Sequence, residues 1–374
     1  MQKETRCVIN RKKTRTVSLG GVKIGGGAPV SIQSMTNTDT RDSSATLRQI
    51  KKLHSVGCQI VRVAIPDFSA AEALSVISGK SPIPVVADIH FDHRLALLCV
   101  KNGAAGIRIN PGNIGGEKAV AKIAKACAEA GIPIRVGSNS GSLPAKFAKR
   151  IKSCPEGKKR QVLAEALVES AIEQCLMLER HGFKDIKVSL KASDVPSTVL
   201  AYREFSKRYD YPLHLGITEA GGKFRGAVKS SVGIGSLLLD GIGDTVRVSL
   251  TGNPVEEVHT AIMILEAAGL RQGCPEIVSC PTCGRTEVKL ERLLSKVEKE
   301  IEKIKIAGGI FNPAKIAIMG CSVNGPGEAK DADIGISGAK NGRMILFRKG
   351  NIVGSYNESE AFAKLVSVMK SLLK

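Results

Sequence analysis

Residues 85–139 read VVADIHFDHRLALLCVKNGAAGIRINPGNIGGEKAVAKIAKACAEAGIPIRVGSN, and this stretch decides the fold. Three short runs rich in β-branched residues, Val85–Asp88, Gly106–Ile109 and Ile134–Val136, are separated by two stretches with helical spacing. Strands alternating with helices build parallel βαβ units. The pattern continues in both directions. Upstream lie Val30–Gln33 and Gln59–Ala64; downstream lie Ile186–Ser189, Leu213–Ile217 and Asp244–Ser249. The segments 158–181 and 254–269 between and after them show helical spacing with Ala-rich faces. Eight strands in roughly 240 residues predict a (β/α)₈ TIM-type barrel, with a doubly wound open sheet as the alternative. The segment 20–27, GGVKIGGG, reads as a hairpin-like cap at the N-terminal side.

The residues at the strand ends carry the chemistry. Strand two holds Arg62, strand three Asp88 and His90, and strand four Arg108 and Asn110. Strand five holds Arg135 with Ser138 and Asn139 beyond it, strand six leads to Lys191, strand seven to Thr218 and Glu219, and strand eight holds Arg247 and Ser249. Barrel active sites form where the C-terminal strand ends meet. Arg forks match phosphate oxygens and Lys adds a point charge. A cation inside an apolar strand costs desolvation unless it meets an anion. Pairing with local carboxylates is the competing explanation, but five cations at matching strand ends point to a polyanion site. The glycine-rich turn Asn110–Gly116 offers backbone N–H groups at a helix start, a weak addition to that reading.

Composition narrows the class. The chain has 374 residues, 43% of them apolar, enough for a packed core and for two domains. No apolar run reaches the ~18 residues of a membrane span. The N-terminal MQKETRCVINRKKTR lacks an apolar segment, so neither a secretory signal nor a transit peptide is expected. Net charge is +20, which favours anionic partners. Nucleic acid is disfavoured, because Trp is absent and Phe and Tyr number only 9 and 4. Ten cysteines in a chain without a signal read as reduced cytoplasmic thiols. Of these, Cys58, Cys99, Cys127 and Cys175 sit in apolar contexts and are expected in the core.

The barrel pattern stops at Gly273. The domain boundary is therefore set at 1–272 and 273–374. The second part reads as a small α/β domain: a charged helix over 288–304, a strand Ile316–Met319, a hairpin over 343–356 turning at Lys349-Gly350-Asn351, and a closing helix over 359–373. It contains Cys280-Pro-Thr-Cys283 and the loop Gly320-Cys321-Ser322-Val323-Asn324-Gly325-Pro326-Gly327-Glu328. A lone C-x-x-C fits zinc, a redox dithiol or an iron–sulfur cluster. Structural zinc wants four Cys or His ligands, and all six His lie at or before His259. Pro281 and Gly284 fit a thioredoxin-like helix start poorly. Three thiolates with an odd fourth ligand suit an iron–sulfur cluster. Zinc and an unmetallated pair stay open on these residues alone.

SCPTCGR and MGCSVNGPGEA resemble the cluster domain of the 4-hydroxy-3-methylbut-2-enyl diphosphate synthases, in the short bacterial form. PVSIQSMTNTDTRD, ADIHF, GIRINPGN, IRVGSNSGSL, KVSLKAS, LGITEAG and TVRVSLTG resemble the barrel of the same family. The resemblance implies reductive ring opening and dehydroxylation of 2-C-methyl-D-erythritol 2,4-cyclodiphosphate, with electrons from flavodoxin or ferredoxin. It implies one [4Fe–4S] cluster per chain on Cys280, Cys283 and Cys321, with Glu328 on the fourth iron. It implies diphosphate binding by Arg62, Arg108, Arg135, Asn139, Lys191 and Ser249, with Arg247, Thr218 and His90 at the same mouth. It assigns Glu219 as the acid facing substrate and cluster, and it implies a homodimer that shares its active site between chains.

Overall fold

The computed structural model describes residues 9–110, 113–271, 273–312, 314–323 and 329–374. The chain divides into two compact units, the first ending at Leu270 and the second running from Arg271 to Lys374.

The first unit opens with an antiparallel hairpin, β1 (Val17–Leu19) and β2 (Val22–Ile24). Eight parallel strands follow: β3 (Ser31–Met35), β4 (Ile60–Ile65), β5 (Val85–Ile89), β6 (Gly106–Ile109), β7 (Ile134–Asn139), β8 (Ile186–Lys191), β9 (His214–Leu215) and β10 (Thr245–Val246). Each neighbours the next, and β10 returns to pair with β3. The last gap closes through a parallel bridge from Val188 to Leu213, reinforced by the Val188 N–H donating to the Pro212 carbonyl at 2.9 Å. The sheet is therefore a nearly closed barrel, and the open doubly wound alternative falls away.

Alternation along the strands sorts the side chains. Val61, Val63, Val85, Ala87, Ile107, Ile109, Ile134, Val136, Ile186, Val188 and Leu190 join the core shared with the surrounding helices. The hairpin seals the floor, where Val17, Leu19 and Ile24 cluster with Ile60 and Val86. The four expected core cysteines are buried, and burial pushes the Cys99 and Cys127 thiols up to about 12. Among the described residues no helix is long and apolar enough to cross a membrane.

Strand ends differ from the sequence reading in an informative way. β7 and β8 run on to Asn139 and Lys191, which face one another in register. The last two strands shrink to two residues each. The ladder continues through Arg247 N–H to the Leu215 carbonyl at 2.9 Å, but the Leu250 N–H donates at 3.1 Å to a helix carboxylate, Glu257, instead of to a strand.

The second unit is a five-stranded sheet in the order β11 (Glu276–Ser279), β12 (Lys315–Met319), β13 (Ile334–Ala339), β14 (Arg343–Arg348) and β15 (Asn351–Asn357). The first three are parallel and the last two antiparallel. Helices Leu290–Ile306 and Glu358–Ser371 share one core with Ile316, Ile318, Ile334, Ile336, Met344 and Leu346. The turn between β14 and β15 is the two residues Lys349 and Gly350, at φ +48° and +76°, with Asn351 already paired to Arg348. Two positive φ values in succession mark the hairpin turn whose twist matches the strands. β11 and β13 had no separate sequence signal; β11 is only four residues long, and β13 is glycine-interrupted.

Candidate functional site

Small barrels ordinarily fill their interior with branched apolar side chains. Here the interior is charged. Asp88 lies opposite Arg108, Arg108 opposite Arg135, and Arg135 opposite Lys187, so β5 to β8 carry four ionisable residues in one register row. Arg62 on β4 and Lys191 at the end of β8 add two cations, and Arg247 follows β10.

Two carboxylates organise part of this set. Asp88 accepts from Arg108 Nη1 at 3.0 Å and stands 3.5 Å from Arg62 Nε. Burial pushes its carboxyl up, but Arg62, Arg108 and Arg135 together outweigh that and hold it at about 2. Burial lowers the Arg62 guanidinium to about 10, with Asp88 opposing and Arg247 and Arg108 assisting. Arg62 also lies 3.0 Å from the Met35 sulfur. Glu257, on the helix Pro254–Ala267, is the second carboxylate. It pairs with Arg247 Nη2 at 3.0 Å and accepts from Ser34 Oγ at 3.0 Å and the Leu250 N–H at 3.1 Å. Arg247 Nη1 reaches Ser249 Oγ at 3.1 Å.

Arg135 and Lys191 have no carboxylate partner among the described residues, and both are driven well below their ordinary values by burial and neighbouring cations. Local pairing thus explains Arg62, Arg108 and Arg247 but leaves two buried interior cations, Arg135 and Lys191, without a carboxylate among the described residues. Gly216 makes room for one of them. A Cβ there would stand 2.6 Å from Lys191 Nζ and 2.5 Å from the Arg247 carbonyl.

His90 is exposed at the rim, 2.7 Å from Arg108 Nη1 through Nε2. Burial and Arg108 lower its pKa, which favours the neutral ring. Thr218 is half-buried and Glu219 exposed, just past β9. Glu219 has φ +53°, a left-handed backbone that costs a non-glycine residue on the order of 1 kcal/mol or more. In the Asn110–Gly116 turn, Pro111 and Gly112 lie outside the described residues; Gly116, at φ +82°, starts the helix Glu117–Ala130 without a side-chain cap.

In the second unit, Cys280 directly follows β11, and Cys321 follows the neighbouring parallel strand β12 by two residues. The Gly320 N–H donates to Cys280 Sγ at 3.2 Å. The turn bearing Cys283 is tied down: the Thr286 N–H reaches the Cys283 carbonyl at 3.0 Å, and the Glu287 N–H reaches the Gly320 carbonyl at 2.8 Å. A Cβ on Gly320 would stand 3.0 Å from Thr286. Cys321 is buried and Cys283 exposed, its thiol lowered by hydrogen bonds from the Arg285 backbone and side chain. Among the described residues no three His, Cys, Asp or Glu gather into a metal-holding group. Glu328, expected as the fourth ligand, lies outside the described residues. The donor chemistry fits a thiophilic cluster: three cysteines of one unit, two on adjacent strand ends and the third on a turn laid over the glycine between them.

Sequence reasoning did not single out Glu257, Gly216 or Lys187. Glu257 had a faint signal in the acidic first turn of its helix. Lys187 shares the period-two pattern of Ser189 and Lys191.

Fold and site define an α/β-barrel protein with a cation-lined mouth, joined to a cysteine-bearing α/β domain. Residues 14–262 match the family described as GcpE TIM-barrel domain, and residues 276–371 match GcpE protein C-terminal domain. The chain belongs to the GcpE family. Proteins named 4-hydroxy-3-methylbut-2-en-1-yl diphosphate synthase (flavodoxin) align over nearly its whole length. That of Desulfotalea psychrophila is 49% identical over 365 residues, 98% of this chain and 97% of its own. That of Thermodesulfovibrio yellowstonii is 51% identical over 363 residues, 97% of this chain and all of its own (100%). That of Clostridium acetobutylicum is 50% identical over 358 residues, 96% and 98%.

Proposed function

We propose that this chain is the reductive synthase its relatives are named for. It opens 2-C-methyl-D-erythritol 2,4-cyclodiphosphate and removes a hydroxyl as water, giving (E)-4-hydroxy-3-methylbut-2-enyl diphosphate for isoprenoid synthesis. The observation that carries the reading is the pair of buried, carboxylate-free cations, Arg135 and Lys191, beside Arg62 and Arg108 at one barrel mouth.

The mouth binds the cyclic diphosphate and neutralises charge on the leaving phosphate as its C–O bond breaks. Asp88 and Glu257 hold Arg62, Arg108 and Arg247 in place, so those guanidinium groups need not reorganise when the anion arrives. Asn139 and Ser249 supply neutral hydrogen bonds, and Thr218 and His90 complete the rim. Glu219, fixed in a left-handed turn past β9, delivers the proton that the departing hydroxyl needs. Cys280, Cys283 and Cys321, with Glu328, would hold a [4Fe–4S] cluster, which would pass on the two electrons the reaction needs, one at a time. The Gly320 N–H at Cys280 Sγ is the kind of hydrogen bond that tunes a cluster's potential. Flavodoxin or ferredoxin delivers the electrons, and the chain works in the cytoplasm as a homodimer that shares its site between protomers. The +20 net charge suits docking of an acidic electron carrier.

Anaerobic cluster reconstitution followed by turnover of the cyclodiphosphate with a chemical reductant tests this reading. Iron, inorganic sulfide and product are expected. A colourless zinc protein that turns nothing over would overturn it. Glu219→Gln should keep the iron and sulfide content and stop turnover; an active variant removes Glu219 from the mechanism.

A further inference from the structure

The register row that begins at Asp88 ends at Lys187, and its last two members, Arg135 and Lys187, form no ion pair among the described residues. Lys187 is 2% exposed and Arg135 4%. Among the described residues Lys187 Nζ has no hydrogen-bond partner, and neither do Arg135 Nε and Nη1. Both side chains line an internal cavity of ≈ 10 Å³ above Leu19 and Val86 of the barrel floor, together with Gln33, whose Oε1 is unpartnered too. That is room for about one water at most, and none for a counter-anion.

The charged and titratable groups around Lys187 come from several strands. Arg135 of β7 and Arg62 of β4 repel an ammonium there. Asp244, just before β10, attracts it but is already engaged by Arg11 at 3.3 Å, Thr14 at 3.1 Å and the Leu213 N–H at 2.8 Å. His214 of β9 is held neutral by burial and by the surrounding cations. Burial and these two guanidinium groups bring the Lys187 amine down to about 7.

An anion at the mouth reverses the balance, because its charge offsets the field of Arg135 across a low-dielectric interior. We propose that Lys187 is a positioning residue that acts by proton uptake: its buried amine, without an ion-pair partner, is mostly uncharged in the free barrel above neutral pH and gains a proton from solvent when a polyanion of the diphosphate class fills the mouth. The free protein then avoids burying one more uncompensated cation, and the loaded protein gains its full charge beneath Arg135. This inference rests on the anion site proposed above.

Calorimetric titration of the full-length chain with inorganic pyrophosphate at pH 8, in two buffers of different ionisation enthalpy, counts the protons exchanged on binding. Lys187→Met preserves volume and removes the amine, and Lys187→Gln is a second neutral replacement. Each variant is expected to bind pyrophosphate while taking up roughly half to one proton fewer than the wild type. Equal proton uptake in wild type and variants, with binding intact, refutes the role of Lys187 and leaves the anion site standing. Loss of all binding in both variants at unchanged melting temperature makes Lys187 a direct charge contact and refutes it as well. Failure of the wild type to bind pyrophosphate overturns the anion site and this inference together.

Discussion

Gly216→Ala tests the claim that missing side-chain volume creates the Lys191 position. The added Cβ would lie 2.6 Å from Lys191 Nζ, 3.2 Å from its Cε and 2.5 Å from the Arg247 carbonyl oxygen. Ordinary contacts to such a carbon run from 3.4 to 4 Å, so the amine must retreat by about an ångström. The carbonyl belongs to backbone tied to β9 through the Arg247 N–H and the Leu215 carbonyl, so it cannot move freely. Overpacking of this kind costs about 1–3 kcal/mol, which at roughly 2–4 °C per kcal/mol lowers the melting temperature by about 2–12 °C. Losing a charged hydrogen bond to the ligand costs a further ~1.5–3 kcal/mol, or on the order of 10- to 150-fold in pyrophosphate affinity. Titration calorimetry and thermal melting measure the two effects separately. Gly137→Ala is the milder comparison: its nearest atoms, Arg108 Nη2 at 3.3 Å and Ser189 Oγ at 3.4 Å, already stand close to ordinary contact and need give only a few tenths of an ångström. Its affinity loss should be several-fold smaller. Wild-type pyrophosphate affinity in Gly216→Ala would falsify the placement of Lys191 in the anion site.

Three further outcomes follow from the same charges. The Asp88 carboxyl sits at about 2 in the fold against ~3.9 unfolded; its stabilisation, on the order of 2–3 kcal/mol, is present above pH ~4 and fades as pH falls toward 2. Acid unfolding should show that loss in the wild type and a flatter profile in Asp88→Asn, which is also weakened at neutral pH; superimposable acid profiles would contradict it. Glu257→Ala should cost up to ~3–5 kcal/mol in chemical denaturation by leaving the part-buried Arg247 without its carboxylate, and Glu257→Gln should recover part of that through its amide oxygen. KM for the cyclic diphosphate should rise more than kcat falls, and an unchanged KM would detach Glu257 from the site. For Lys187 the slope has the same sign as for Asp88 but lies at higher pH, and here it is the charged form that the fold penalises: the folded amine titrates near 7 and the unfolded one near ~10.4. The unfolded chain therefore binds more protons over that interval, and wild-type stability should rise with pH from about 7 to 10. Lys187→Met should lack this slope and melt higher at pH 7; parallel melting curves across that range would count against a buried, unpaired amine.

Much of the site was legible because a barrel delivers every strand's C-terminal end to one mouth. Once the eight strands were located, Arg62, Arg108, Arg135 and Lys191 converged by topology alone. The cation pairings were not legible. Arg62 and Arg108 share Asp88, one strand away on either side, and Arg247 takes Glu257 from the helix that follows it. The same strand-end pattern would have been written whether or not Arg135 found an acid. In the second unit, the C-x-x-C and the Cys321 loop were plain in sequence. That Cys280 and Cys321 follow adjacent parallel strands was not, because β11 left no signal of its own.

By itself the sequence determined the element order of the barrel, the two-part organisation, the strand-end cations and the cysteine set, because periodicity and spacing are local properties of a chain. The tertiary structure alone decided that the barrel closes through Val188 and Leu213, that Gly216 leaves space for Lys191, and that Lys187 and Arg135 share a cavity without an acid. Those facts depend on the stagger of strands far apart in the chain and on burial. Burial sets the local dielectric, and through it which charges persist and which give up a proton.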